Sequence, residues 1–178
     1  MTWTEPATWY ANLASFYAAA AAFITDPADN VLLVKPTYRD YWAFPGGYVD
    51  EGEYPHDACA REIREELGLD LVVGDLLVVD WAPPSGQRPR AIISLTFDCG
   101  YVTSLDGLNL PGEELAEAAF FQHPEAERRL PTNVASRLSA ARCARARNVP
   151  LYLAGGSATR PPYCAEADEQ AGTTAEAT

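Results

Sequence analysis

Basic residues are scarce in this chain: 13 lysines and arginines stand against 25 aspartates and glutamates, which leaves a formal charge of −12. A protein that binds duplex nucleic acid needs a basic footprint to displace counterions, so that class is excluded. The same deficit means that a polyanionic ligand is not attracted by the protein alone, and bound metal ions would have to bring the positive charge. Long apolar runs are missing too. The longest, Phe16 to Ile24, is too short and too rich in alanine to cross a bilayer, and no Lys- or Arg-rich start precedes it. No membrane partner is expected, and the chain is read as soluble and cytoplasmic. The four cysteines, Cys59, Cys99, Cys143 and Cys164, are scattered without C-x2-C spacing. They indicate neither a zinc site nor a disulfide framework and are read as buried or incidental thiols. Histidine is limited to His56 and His123; the sequence places no partner for either, so both are read as surface residues rather than bases.

What is present suits one globular domain. With 178 residues, 48% of them apolar, the chain can bury a core and still carry an extension at each end. Residues 1–15, with Trp3, Trp9, Tyr10 and a Pro6 able to start a short helix, form an N-terminal extension whose aromatics are expected to pack on the domain itself or on a second subunit. Residues 16–153 form the domain. Residues 154–178, rich in Gly, Pro, Thr, Ala and acid, read as a flexible tail.

Within the domain, the alanine-rich run up to Thr25 could be helical by propensity, but its length and its aromatic and β-branched ends suit a strand. The turn signal at residues 26–30 then makes a hairpin with the strand Val31 to Lys35. Further strands are expected at Leu71 to Val73, Leu76 to Trp81, within Ala91 to Thr103 as a central strand, up to Phe121, and at Val149 to Leu153. Helical segments are expected at Pro124 to Leu130 and Thr132 to Arg147. The last of these carries arginines whose basic face is expected to pair with the acidic remainder.

The most informative stretch is Gly46 to Leu69, GGYVDEGEYPHDACAREIREELGL. Pro55 suits the first turn of a helix and Gly68 its C-terminal stop. At about 100° per residue, Glu62, Glu65 and Glu66 share one face, while Ala60, Ile63 and Leu67 fall on the opposite, buriable one. Carboxylates at this spacing repel, costing a few tenths of a kcal/mol per pair (~0.2–0.5), so a solvated surface gains nothing from the arrangement. A hard divalent cation reverses the sign, because Mg²⁺ takes one or two carboxylates and completes its shell with waters and phosphates. Arg61 can reach Glu65 one turn on, and the Gly46-Gly47 pair lets backbone approach closely and offer a carbonyl.

The spacing G-x5-E-x7-R-E-U-x-E-E-x-G-U, where U is aliphatic, resembles the Nudix box, and Gly47, Glu53, Arg61, Glu62, Ile63, Glu65, Glu66, Gly68 and Leu69 match every defined position. The resemblance covers about residues 18–147. It implies an α/β (α+β) fold, an α/β/α sandwich with a mixed sheet, and hydrolysis of a pyrophosphate bond in a nucleoside diphosphate linked to another moiety. It implies Mg²⁺ as cofactor, with Mn²⁺ as an alternative, and a small diphosphate-containing molecule as the partner of a monomer or homodimer. Carried over residue by residue, Glu62, Glu65 and Glu66 are the catalytic carboxylates and metal ligands, joined by the Gly46 carbonyl, while Arg61 and Glu53 orient them. Glu113, Glu114 and Glu117 are candidates for a further ligand or base, because an acidic segment often trails the box. Lys35, Tyr38, Arg39 and Trp42 upstream of the helix, and Arg88 and Arg90 in the loop from Ala82 to Arg90, are candidates for contact with the rest of the substrate. The alternative reading is a non-catalytic nucleotide-binding or regulatory module; the intact set of glutamates stands against it. Nucleoside triphosphates, nucleotide sugars, ADP-ribose and non-nucleotide diphosphates all remain open as substrates.

Overall fold

The computed structural model describes residues 3, 5–106, 108 and 110–159. In chain order these form α1 (Pro6–Ala11), β1 (Tyr17–Thr25), β2 (Val31–Pro36), β3 (Gly46–Tyr48), α2 (Pro55–Leu67) and β4 (Leu76–Ala82). There follow β5 (Ile92–Tyr101), β6 (Leu115–Phe121), α3 (His123–Arg129), α4 (Thr132–Arg147), β7 (Leu151–Ala154) and β8 (Ser157–Ala158). One sheet holds all the strands in the order β6-β2-β1-β5-β4-β7-β8, with β3 added to β1. It is mixed: β1 runs parallel to β5, and β4 to β7, while the remaining pairs are antiparallel.

The alanine-rich run is strand because both its faces are covered, which favours a near-continuous apolar sequence. Ala20, Ala22 and Ile24 pack with Ala58, Cys59, Ile63 and Leu67 of α2, whereas Phe23 packs on the opposite face with Leu138, Ala141 and Ala144 of α4. The sheet is thus sandwiched between α2 and the α3–α4 pair, the α/β/α arrangement expected from the resemblance. The β1–β2 turn is closed by Asp26, whose Oδ1 accepts from the N–H groups of Ala28 at 2.9 Å and Asn30 at 2.8 Å. β5 lies at the centre as expected, between β1 and β4.

One expected strand is absent. Residues 71–73 are irregular: Leu71 and Val73 pack against the α2-side core and Val72 is exposed, so the period-2 pattern is real. The backbone rejoins the sheet only at Gly74, whose N–H donates to Asp98 O at 2.7 Å. Alternation reflects which side chains are covered, and here the cover comes without a ladder partner. At the other end, β7 runs to Ala154 and β8 pairs with it through Leu153 and Ala154, so the sheet continues past the boundary that composition marks at 153. Residues 160–178 lie outside the described residues.

The arginines of α4 pair as their charge suggests. Arg137 Nε donates to Asp80 Oδ2 at 2.7 Å, and the Gly156 N–H donates to Oδ1 of the same carboxylate at 3.0 Å. Arg145 grips Asp98 with Nε at 2.8 Å and Nη2 at 2.6 Å and also donates to Thr25 Oγ1 and Phe23 O. Arg142 lies 3.5 Å from Asp29. Cys59 and Cys99 are buried free thiols whose Sγ atoms stand 3.8 Å apart. Cys143 is not a free thiol, so the expectation of buried or incidental thiols holds for Cys59 and Cys99 and not for Cys143; Cys164 lies outside the described residues.

Asp80 is only 1% exposed, and removing it leaves a buried guanidinium and the Gly156 N–H without their acceptor. The Asp80→Ala protein is expected to lose roughly 3 kcal/mol of stability, read as a lower midpoint in urea unfolding at unchanged slope.

Candidate active site

Helix α2 begins at Pro55 and ends where Gly68 takes the left-handed conformation (φ 68°), its N–H donating to Arg64 O at 3.0 Å. Its buried side is Ala58, Cys59, Ile63 and Leu67, with Ala60 only partly covered. That anchorage turns the acidic side toward β3. Alternation along β3 then decides what β3 offers in return. The Ala22 N–H donates to Pro45 O and the Val49 N–H to Ala18 O, so the intervening pairs Ala21–Gly46 and Ala19–Tyr48 are the non-hydrogen-bonded ones. The polar backbone atoms of Gly46 and Tyr48 therefore face away from β1. Two of them are used at once: the Gly46 N–H donates to Glu66 Oε2 at 2.8 Å, and the Tyr48 carbonyl accepts from Arg61 Nη2 at 3.1 Å.

Arg61 is the hub. Nε and Nη2 meet the two carboxylate oxygens of Glu53 at 3.0 and 3.1 Å, while Nη1 donates to Glu62 Oε1 at 2.8 Å and to Glu65 Oε2 at 3.0 Å. The Asp50 N–H donates to Glu53 Oε2 at 3.1 Å, which holds the loop before the helix. The glycines are required by contact. A Cβ on Gly47 would stand 2.3 Å from Glu62 Oε1, and one on Gly46, where φ is +139°, would stand 2.2 Å from the Ala20 carbonyl oxygen.

The electrostatics follow from this crowding. Hydrogen bonds from Arg61 and the Asp50 N–H lower the Glu53 carboxyl below the ordinary carboxylate range. Burial raises Glu62 despite its bond to Arg61. Glu66 is pushed to about 8, first by burial, against the stabilising Gly46 N–H and with the charges of Glu62, Glu114 and Glu65 adding to the rise. The surplus of carboxylates over the single guanidinium is the condition that a bound cation would relieve.

Of the acidic residues after the box, the structure brings Glu114 within electrostatic reach of Glu62 and Glu66. Its loop is hooked to the end of β2, where the Thr37 N–H donates to Glu114 O at 2.8 Å and Thr37 Oγ1 to Glu113 O at 2.8 Å. Glu117 instead sits on β6 opposite Lys35. Among the described residues, no three His, Cys, Asp or Glu side chains converge as a closed metal cage, because the carboxylate oxygens are turned onto Arg61 and the Gly46 N–H.

The expected substrate contacts divide. Trp42 is a correction: it is 7% exposed and lies edge-on against Phe121 at 4.7 Å, so its ring belongs to the core, where an aromatic next to an apolar strand end is drawn by burial. Arg88 is committed to its own loop, donating to the carbonyls of Arg90 at 2.7 Å and Pro83 at 2.8 Å. Tyr38 and Arg39 are stacked, with the guanidinium 5.2 Å from the Tyr38 ring and 5.5 Å from that of Tyr41. Arg90 lies 5.8 Å over Tyr17, itself edge-on to Tyr48 at 6.2 Å. His56 is exposed as expected. His123 is not: it is largely covered and 3.1 Å from Asp29, with burial and Arg142 lowering its pKa. Sequence reasoning missed Tyr48, whose carbonyl enters the site because of strand parity; only the register shows it.

Glu66 sets a pH dependence. Its folded-state value of about 8 lies above the 4.5 of an ordinary glutamate, so the native state binds the extra proton. The stability this brings is fully present below pH 4.5 and is lost as pH rises through about 8. In the presence of a chelator, the protein is expected to lose on the order of a few kcal/mol across that window in urea titrations, and Glu66→Gln is expected to flatten most of the slope.

Comparison with known proteins agrees with this geometry. The NUDIX domain profile matches residues 16–142. The ADP-ribose pyrophosphatase of Methanocaldococcus jannaschii is 34% identical over 107 residues, covering 58% of this chain and 61% of that protein. The 8-oxo-dGTP diphosphatase of Proteus vulgaris is 36% identical over 62 residues, 33% of this chain and 55% of that protein. The chain thus spans less than two thirds of the length of these relatives. Among solved structures, the MutT protein from Methanosarcina mazei Go1 superposes with a TM-score of 0.61 at 22% identity, covering 76% of this chain and 96% of that one. A UDP-X diphosphatase gives 0.64 at 23%, covering 79% and 68%. At such identities the structures speak for the fold, and the profile match over most of the domain speaks for descent: the chain belongs to the NUDIX hydrolase family.

Proposed function

We propose that the chain is a divalent-metal-dependent hydrolase that cleaves a pyrophosphate bond in a nucleoside diphosphate linked to another moiety. The observation that carries this reading is the surplus of carboxylates held around one arginine, with Glu66 buried against the Gly46 N–H and raised to about 8. Glu62, Glu65 and Glu66 would hold the cation together with the Gly46 carbonyl, which strand parity turns to the same edge as the N–H that meets Glu66. Mg²⁺, or Mn²⁺ in its place, suits such an all-oxygen donor set. A cation bound there would neutralise the phosphate oxygens and acidify a water molecule.

The chain's own residues supply the remainder. Arg61 fixes the rotamers of Glu62 and Glu65 through a single nitrogen, so the two carboxylates cannot splay apart. Glu53 holds the opposite edge of that guanidinium and keeps it from moving onto the substrate phosphates. The proton of the attacking water would go to Glu62, Glu65 or Glu66 or to a carboxylate of the segment 113–117, of which Glu114 acts electrostatically on Glu62 and Glu66 from a separate loop. The relatives act on ADP-ribose or 8-oxo-dGTP by name; for this chain the pyrophosphate is the shared element. With nucleotides as substrates, the cytoplasm is the expected setting.

A panel of nucleoside triphosphates, nucleotide sugars and ADP-ribose, assayed for Mg²⁺-dependent release of phosphate or pyrophosphate, tests the proposal. Chelation is expected to abolish turnover, and Glu66→Gln to lower it by roughly 10³-fold or more with the fold retained. Near-normal turnover by Glu66→Gln on the best substrate would sink the assignment. Gly47→Ala should lower turnover by about 10-fold or more through displacement of the Glu62 carboxylate, while the circular dichroism spectrum stays unchanged.

A further inference from the structure

Helix α1 is the one helix of the described residues in which nothing is buried. Residues 5–16 are exposed throughout: Trp9 is 51% exposed, Tyr10 66%, Leu13 48% and Phe16 46%, with Trp3 at 83% ahead of the helix. Its ends are nevertheless closed. Pro6 opens the helix and the Glu5 carboxylate accepts from the Thr8 N–H at 3.0 Å, while at the far end Asn12 Nδ2 donates to Thr8 O at 2.7 Å and the Leu13 N–H to Tyr10 O at 3.1 Å. A helix of six residues is far shorter than the ~12–15 at which an isolated helix becomes even marginal in water, so most of its stability has to come from packing of an apolar side. Such a side exists. At about 100° per residue, Trp9, Tyr10 and Leu13 fall together, with Ala7, Thr8 and Ala11 opposite them. Trp9 and Tyr10 meet edge-on with ring centres 4.9 Å apart and form one surface. Of the aromatics expected to pack on their own domain, only Phe16, at the root of the arm, does so, lying edge-on to Trp81 at 5.0 Å.

Charge narrows what can cover this surface. Glu5 is the single charged side chain in residues 1–25, its carboxylate is occupied at the helix start, and no Lys or Arg precedes Lys35. An anionic lipid surface or a nucleic acid would need basic residues here, and a charged protein would need a countercharge; the arm has neither. A second copy of the chain fits. Two bodies of charge −12 repel each other, and the arm is an uncharged apolar stretch at which they can meet without opposing carboxylates. The area is sufficient as well. With about 150–250 Å² for each aromatic side chain, the exposed parts of Trp3, Trp9, Tyr10, Leu13 and Phe16 amount to roughly 500–600 Å² per copy, or about 1,000–1,200 Å² for two, the lower end of specific interfaces.

We infer that the arm around α1 is a homodimer interface, in which Trp9, Tyr10 and Leu13 of one copy lie against the same side of α1 in a second copy about a two-fold axis. The inference is independent of the hydrolase reading, because the arm contains none of the residues assigned to the carboxylate centre.

Sedimentation equilibrium of the full chain from about 1 to 100 µM tests it, with a reversible monomer–dimer equilibrium of Kd on the order of micromolar as the expected result for an interface of this size. The triple variant Trp9→Ser/Tyr10→Ser/Leu13→Ser is expected to raise Kd by about a hundredfold or more, and Trp9→Phe, which keeps a ring, by less than about tenfold. Because no residue of α1 is buried, the triple variant should keep the circular dichroism spectrum, and the melting temperature that the wild type has when dilute and monomeric. Concentrating the wild type should shift tryptophan emission to the blue and protect it from acrylamide, with no such change in the triple variant. In an equal mixture of wild type and triple variant, only wild-type dimers are expected. A wild type that stays monomeric over the whole range, or a Kd that moves less than about threefold in the triple variant, overturns the inference. So do heterodimers in the mixture, which would place the arm on the body of the partner instead, and so does a monomer whose arm tryptophans are already protected from acrylamide, since its cover would come from its own chain.

Discussion

One guanidinium organises the site. Arg61 satisfies Glu53 through two nitrogens, Glu62 and Glu65 through a third, and the Tyr48 carbonyl with what remains. A charge-assisted bond of this kind is stronger than a neutral one, and a forked planar donor fixes direction as well as distance. Without it, the acidic side of α2 would be a set of mutually repelling side chains. With it, the loop before the helix, the helix and β3 become one unit, and the carboxyl groups in excess of the guanidinium are gathered around Glu66, whose burial holds its proton, rather than spread over a solvated face.

That unit depends on a strand of three residues. Because β3 alternates, Gly46 and Tyr48 turn their free backbone groups to α2 while Gly47 keeps its place in the ladder with Ala20. The two glycines serve different ends: at Gly46 a side chain would strike the backbone of β1, and at Gly47 it would strike the Glu62 carboxylate. Close approach of backbone to both a neighbouring strand and a functional carboxylate leaves no room for a Cβ. The alanines of β1 serve the same compactness, because small side chains let α2 lie close to the sheet.

On the far face, the sheet is fastened by charge. Arg137 and Arg145 of α4 meet Asp80 of β4 and Asp98 of β5, so the central strands are tied to the helix by bonds whose partners are largely removed from water. The same carboxylates reach beyond the helix: Asp80 accepts from Gly156, and Arg145 extends to Thr25 and Phe23. The part of the sheet on which the site stands, β1 with β3 paired to it, is thereby covered on both faces.

Much of this was legible in the chain. The 3.6-residue period placed Glu62, Glu65 and Glu66 together, Pro55 and Gly68 delimited the helix, and the covered hairpin, the central strand and α4 follow from apolar patterning and turn residues. Local chemistry suffices there, since each signal lies within a few residues of the element it sets. Other features are decided by contacts distant in sequence. Whether Leu71 to Val73 joins a ladder depends on a strand lying alongside it, and the backbone meets β5 only from Gly74, through Asp98. Whether Trp42 meets a ligand depends on Phe121, 79 residues on, which covers it. Glu114 rather than Glu117 approaches the helix because the β2–β6 register turns Glu117 to Lys35 and hooks the preceding loop to Thr37. Sequence by itself determined the helix, its acidic stripe and the family; the tertiary structure alone decided which distant side chains and backbone atoms complete the site, because burial, strand parity and register are properties of neighbours that the chain brings together only when folded.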